Sequence, residues 1–270
     1  MVIPLNPGGA DWEARVNFDR MREERLVKVQ AAIAKHGLDG VLLFKPENSR
    51  YAVGAQGMHL AWWICEYALV PQSGTPTFYP TGGDMARNIA HCPYLEGHIK
   101  PSRNLEEIGP ARTELAEVQI NEMIEEIRRA GFTGGRIGVD IMNFPMMEAL
   151  QKAKVTLVDA EPVMLEARMI KSEDEVVLTK LAAGINDAAL YQCIYILDKP
   201  VLREWDVHGE LTSIMRKYGS DVPNDGIRGI VASGERVNPY NRVIGGTDKI
   251  IRPGELMVID SHMAFMGHHV

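Results

Sequence analysis

The sequence predicts an α/β protein in two domains, and three observations carry that reading. At 270 residues the chain exceeds the usual size of a single core. Over roughly residues 15–160, stretches with helical apolar spacing alternate with short apolar, β-rich runs. From about residue 163 the order changes to helix, helix, strand, strand. The expected domains are therefore 1–162 and 163–270.

In the first domain, Phe18, Met21, Leu26, Val29 and Ile33 recur at helical spacing up to His36, and Gly37 supplies a left-handed stop. "GVLLF" (Gly40–Phe44) follows as a buried strand. "YALVP" and "PTFYP" are further strands, bounded by proline or glycine. Leu115, Val118, Met123, Ile124 and Ile127 mark a second amphipathic helix. "RIGVD" reads as a strand, "FPMMEALQKA" as a short helix and "VTLVDA" as the last strand. "TGGDMAR" has glycines without the strand-to-helix setting of a phosphate loop, so a plain loop is expected.

Glu161-Pro162 ends that strand, and Ser172 with Glu175 has the spacing of a capping box. Val176, Val177, Leu181, Ile185, Ala188 and Ala189 then share one side of a long helix. A second helix, about Asp206 to Tyr218, stops at Gly219. "GIRGIVASG" and "ELMVIDSHMAFMG" are the closing strands, joined by a polar stretch rich in Gly, Asn and Pro.

Composition narrows the function classes. The apolar fraction of 46% and charged fraction of 24% are ordinary for a globular protein. A net charge of -7, with both signs mixed along the chain, argues against nucleic acid or an anionic membrane as partner. No apolar stretch approaches the roughly 20 residues of a membrane helix, and the opening residues lack a secretory pattern. Cys65, Cys92 and Cys193 are scattered and odd in number, which fits reduced thiols in a cytoplasmic protein. None has a charged setting that would mark a nucleophile.

The tail raises the sharpest chemical question. Side chains alternate along a strand, so Leu256, Val258, Asp260, His262, Ala264 and Met266 share one face. Asp260 sits among apolar neighbours, and a carboxylate buried there needs a partner. A metal ion would satisfy it, and so would a structural ion pair with an arginine or a hydrogen bond. His262, two residues on, is a candidate co-ligand or a hydrogen-bonded core histidine, and His268-His269 reads as a solvated, frayed end.

Here the second domain becomes recognisable. "EARMIKSEDEVVLTKLAAGINDAAL", "GIRGIVASGERVNP" and "IRPGELMVIDSHMAFMG" resemble the creatinase / aminopeptidase P / methionine aminopeptidase family of pita-bread metallohydrolases. The R-x-I-K-S-x-x-E entry to the long helix is a signature of the proline-peptidase branch. Upstream, "RMREERLVKVQAAIAKHGLDGVLLFKPENSRYAVG" resembles that branch's N-terminal domain, with its helix, strand and N-x-x-Y turn. The resemblance covers about Asp19 to Gly267. It implies a creatinase-like N-terminal α/β domain followed by the first half of a pita-bread α+β domain. It also implies a homodimer acting on a peptide or small amidic substrate.

In that family two aspartates, a histidine and two glutamates hold two divalent metals (Mn, Zn, Co or Fe). The metals share a water or hydroxide that attacks the scissile bond, and cations about 3.5–4 Å apart stabilise the developing oxyanion. The resemblance matches the first aspartate to Asp260, and His262, two residues on, stays the candidate second metal ligand by its strand spacing. The second aspartate falls at position 271, one past Val270, and the other ligands lie later still. A chain ending there is expected to hold no tight dinuclear site and to perform no hydrolysis, leaving a truncated fragment or interaction protein as the alternative to an enzyme.

Two departures bear on the reaction. "ASGERVNPYNRVIGG" offers Tyr240 and Asn241 where the peptidases keep a substrate-contacting histidine. Position 262, commonly glycine in peptidases, is histidine. "RMREER" with "ENSRYAVGAQGMHLAWW", and "ASGxRxNP", look more like the branch with bacterial dimethylsulfoniopropionate lyases, in which position 262 is acidic. Tyr240, Asn241 and Trp62 are accordingly the candidate substrate-binding residues, with His59 and Arg242 as weaker ones; packing or a solvated turn is the structural alternative.

Overall fold

A computed structural model describes residues 13–55, 66–103, 109–129, 131–132, 135–142, 144–221, 227–238 and 245–270. Contacts divide the chain into two compact units, Phe18–Ser172 and a second comprising Glu173–Val270 with the residues up to Asn17.

The first unit is built on a five-stranded sheet. Its strands are β1 (Gly40–Leu43), β2 (Tyr67–Pro71), β3 (Thr77–Tyr79), β4 (Arg136–Val139) and β5 (Thr156–Asp159), in the order β3-β2-β1-β4-β5. β1 pairs antiparallel with β2, and β2 with β3, whereas β1–β4 and β4–β5 are parallel. Helices α1 (Phe18–Lys35), α2 (Pro46–Val53), α3 (Met85–His91), α4 (Arg112–Arg129), α5 (Phe144–Lys152) and α6 (Glu161–Met169) complete it.

Every residue of β1 is buried, because the strand is apolar on both faces and both are covered. Val41 and Leu43 join Val29, Ile33, Val163 and Met164 from α1 and α6 in one core. Leu42 and Phe44 join Ile120, Met123, Met146 and Leu150 from α4 and α5 in another. The result is three layers, helices on either side of the sheet. At the end of α1, Gly37 takes φ +64° and donates to Ala34 O, while Leu38 donates to Ile33 O, so the predicted left-handed stop closes as a paired C-terminal cap.

Three sequence expectations need correction here. The domain change falls at Ser172/Glu173, ten residues after the expected 162/163, because Glu161-Pro162 opens α6, which packs on α1. The segment around the N-x-x-Y turn is helical, α2, with Pro46 in its first turn and Gly54 at φ +64° as its cap. "TGGDMAR" is a 3-10 turn running into α3, where Asn88 Nδ2 donates to Asp84 O. Tyr67, five residues after Trp62, stacks on Tyr79 with centroids 4.4 Å apart and is core. His59, Trp62 and Cys65 lie outside the described residues.

The second unit has α7 (Glu173–Ile196), α8 (Glu204–Lys217), and strands β6 (Ile227–Ser233), β7 (Met257–Phe265) and β8 (His268–His269) in the order β6-β7-β8. Both pairings are antiparallel. Leu178, Ala182, Ile185, Ala189 and Cys193 form the buried side of α7, and Val207, Leu211 and Met215 that of α8. Asn17 N donates to Asp174 Oδ1 at 2.9 Å, which ties the residues before α1 to this unit. Among the described residues no helix is long and apolar enough to cross a membrane.

Candidate metal centre

The register of the small sheet decides which side chains meet. Gly229 of β6 is opposite Ser261 of β7, and a Cβ at Gly229 would stand 2.9 Å from Leu211 Cδ2 of α8. The Gly229–Ser261 face is therefore the one the helices cover, and Met263, on the same face, is fully buried. Ile230 is opposite Asp260 and Arg228 opposite His262, so both candidate ligands belong to the face turned away from the helices. The alternation predicted for this strand is the one observed. Asp260, however, is exposed rather than buried, because the apolar residues beside it in sequence point to the other face. No described residue pairs with its carboxylate.

The end of the chain is ordered as a strand. The turn between β7 and β8 has positive φ at Met266 (50°) and Gly267 (78°), the pairing a tight two-residue hairpin needs. Asp221 holds it: its carboxylate accepts Met266 N at 3.0 Å and Gly267 N at 2.6 Å, and Asp221 N donates to Ala264 O at 2.7 Å. Met263 and Val270 then exchange two backbone hydrogen bonds of 3.1 and 3.0 Å. So the solvated, frayed end expected for His268-His269 is replaced by a paired strand.

Strand parity splits the two histidines. His268, opposite Phe265, turns to the helices and meets Thr179 Oγ1 of α7 at 3.3 Å. His269, opposite Ala264, lies on the face of His262. The two rings stack with centroids 5.2 Å apart and planes at 22°, and His269 Nδ1 is 3.1 Å from His262 Nε2 in a hydrogen bond. The other ring nitrogen of His262, Nδ1, is buried without a hydrogen-bond partner.

These observations test the fit of a cation. A carboxylate without a partner and a buried, unpaired imidazole nitrogen stand two residues apart on one face, ~7 Å along the strand, and a buried polar atom left alone calls for an ion or water. Both donor types suit a divalent ion of borderline softness. Among the described residues no group of three or more His, Cys, Asp or Glu is placed to hold a metal. Asp260 and His262 are thus the donors a cation would meet on this face, and the five-ligand cage is not assembled from the described residues.

Beside the strand pair lies a second polar centre that sequence reasoning missed. Glu204, in the first turn of α8, is fully buried. Its Oε1 accepts Ser233 N at 2.8 Å and Ser233 Oγ at 3.0 Å, and its Oε2 accepts Thr247 Oγ1 at 2.6 Å and Arg236 Nε at 3.2 Å. Burial pushes its carboxyl up, but the bonds from Thr247 and Ser233 and the Arg236 charge outweigh that and hold it below the usual range. Lys249 Nζ adds bonds to Ser233 Oγ (2.9 Å) and Glu255 Oε2 (2.6 Å). A Cβ on Gly246 would sit 2.7 Å from the Glu204 carbonyl carbon, so glycine is required there.

Glu204 therefore ties together residues 233–236 and 246–249, the two flanks of the connection between β6 and β7. That connection carries Tyr240 and Asn241, which with Arg242 lie outside the described residues. Nothing in local sequence marks Glu204, whose partners lie 29 to 43 residues away. The one signal for His269 is the glycine of the "FMGHH" stretch, which a hairpin reading would have used.

Cys92 and Cys193 are both buried and free. Burial pushes the Cys193 thiol up to about 11, with the nearby Glu210 charge adding to it, in keeping with a small apolar role.

Residues 25–170 match the family described as the creatinase/prolidase N-terminal domain. The chain is 26% identical over 259 residues to the uncharacterized peptidase YqhT of Bacillus subtilis, covering 90% of this chain and 62% of that protein. It is 23% identical over 261 residues to the dimethylsulfoniopropionate lyase DddP of Roseovarius nubinhibens, covering 92% of this chain and 56% of the lyase. Among solved structures, the Xaa-Pro dipeptidase from Bacillus anthracis superposes with a TM-score of 0.69 at 20% identity, over 92% of this chain and 63% of the dipeptidase. The chain thus spans under two thirds of the length of each of these relatives.

Proposed function

The chain belongs to the creatinase/prolidase N-terminal domain family, and from that membership we propose that it serves a metal-dependent hydrolase reaction of the Xaa-Pro peptidase type. The supporting observation is the outer face of β7, where the Asp260 carboxylate and His262 Nδ1 have no protein partner among the described residues. There Asp260 and His262 would hold a divalent cation, which would supply Lewis-acid chemistry to the hydrolysis.

The chain's own residues supply the rest. Asp260 brings the single negative charge that offsets the cation. His262 contributes a neutral donor where an acid would add a second charge, which favours Zn²⁺ or Fe over Mn²⁺. Glu204 fixes both flanks of the connection bearing Tyr240 and Asn241, the proposed substrate contacts. A peptide or small amidic substrate in a cytoplasmic homodimer is the setting that fits this reading.

A second reading is favoured by a specific observation. "ASGERVNPYNRVIGG" carries no histidine to steady the oxyanion of an amide, and one relative over most of the chain is named a dimethylsulfoniopropionate lyase. On that reading the same cation site serves an elimination instead of a hydrolysis.

The deciding experiment supplies the protein with Zn²⁺ or Mn²⁺ and offers Xaa-Pro dipeptides and dimethylsulfoniopropionate in parallel. Free proline, abolished in Asp260→Asn, is the result the hydrolase reading requires. Dimethyl sulfide without proline selects the lyase reading, and neither product with either metal leaves a non-catalytic fragment or interaction protein.

A further inference from the structure

We infer that His269 sets the working tautomer of His262. It accepts the Nε2 proton of His262 at its own Nδ1, leaving His262 Nδ1 as a bare lone pair available to the cation beside Asp260. The inference rests on the proposal that Asp260 and His262 grip a metal, and it adds a positioning residue to that pair.

The geometry carries it in three steps. Asp221 fixes the Met266-Gly267 turn through both backbone N–H groups, and that turn sets the parity of β8. Parity sends His269 to the face of His262, where the rings stack and Nδ1 lies 3.1 Å from Nε2. One proton lies between those two nitrogens, and its owner decides the state of His262 Nδ1. If His269 donated it, neutral His262 would carry its proton on Nδ1, a buried N–H with no acceptor. A buried N–H left there without an acceptor forfeits its hydration with nothing in return. If His262 donates it, Nδ1 is an acceptor that a cation satisfies.

Metal-binding histidines ordinarily donate their second N–H to a carboxylate, carbonyl or water, and losing that partner weakens metal affinity about 10–100-fold. Here a second imidazole takes that place, delivered from the neighbouring strand. His269 reaches the ion only through His262, so it is a positioning residue and not a ligand.

The test has two arms on this chain, untagged. Nitrogen-15 NMR of the metal-free protein at about pH 8, above the ordinary imidazole range, reads the tautomer directly. His262 is expected with its proton on Nε2, mixed in His269→Ala, and back on Nε2 in His269→Gln, whose side-chain oxygen accepts the same proton. Calorimetric titration with Zn²⁺ is the second arm. His269→Ala should weaken binding roughly 10–100-fold, His269→Gln should recover most of it, and an unchanged Tm without metal shows that the fold is kept. A His262 proton on Nδ1, or wild-type Zn²⁺ affinity in His269→Ala, overturns the inference while leaving the Asp260–His262 site standing. A wild-type protein that takes up no Zn²⁺ removes the metal site and this role of His269 with it, and the NMR arm then decides only the direction of the hydrogen bond.

Discussion

Thr247 Oγ1 donates to Glu204 Oε2 across 2.6 Å, while Ser233 N and Oγ reach the other oxygen of the same carboxylate. One buried side chain therefore holds two flanks of a loop whose proposed role is to contact substrate. Glu204→Ala leaves Arg236 and the Ser233 N–H facing a buried gap, a change expected to cost about 3–5 kcal/mol. Glu204→Gln keeps the shape but loses the charge, for about 1.5–3 kcal/mol. Calorimetric Tm values of the three proteins check the order: wild type, then Gln, then Ala.

The same carboxylate gives a pH dependence with a definite sign. Burial alone would raise its pKa, but the donors around it leave the folded value below the unfolded one of about 4.3. Its contribution is then complete above that unfolded value and is lost as pH falls through the lower, folded one. The wild-type Tm should accordingly drop faster than that of Glu204→Gln below about pH 4, closing the gap between them. A gap that widens in acid would reverse the assignment.

The hairpin at the end of β7 is a site where the natural residue is not the best one. Met266 takes φ 50°, a region that Asn tolerates and an unbranched apolar side chain does not favour. Met266→Asn should stabilise by about 1 kcal/mol. Asp221→Ala removes the acceptor for two backbone N–H groups and should cost about 1–2 kcal/mol. It should also separate the His262 and His269 rings, visible as altered histidine NMR shifts.

Legibility in the sequence followed range. Val41 and Leu43 on one face and Leu42 and Phe44 on the other are all apolar, so β1 read at once as a strand covered on both sides. The 3.6-residue spacing of Met21, Val29 and Ile33 likewise gave α1 to within a residue. "PENSRYAV" was opaque because its helix depends on distant help. Asp140 accepts Phe44 N (2.8 Å), Lys45 N (3.1 Å) and Asn48 Nδ2 (3.0 Å), while Arg168 binds Asn48 Oδ1.

At the candidate site, strand parity gave the shared face of Asp260 and His262, because it depends on neighbours in sequence alone. Exposure of Asp260 did not follow, since flanking apolar residues say nothing about what covers the opposite face. His269 was misread as a loose end because its order comes from Asp221, 45 residues from Met266. Glu204 was missed for the same reason.

The most direct measurement is the Tm of this chain against Zn²⁺, in the wild type and in Asp260→Asn and His262→Ala. A ligand at about a hundred times its Kd stabilises the folded state by about 2.7 kcal/mol. The wild type should therefore show a saturating rise in Tm with Zn²⁺ and a smaller one with Mn²⁺, both lost in either variant. A wild-type Tm that ignores both metals, or a rise that survives Asp260→Asn, would contradict a cation held on the outer face of β7.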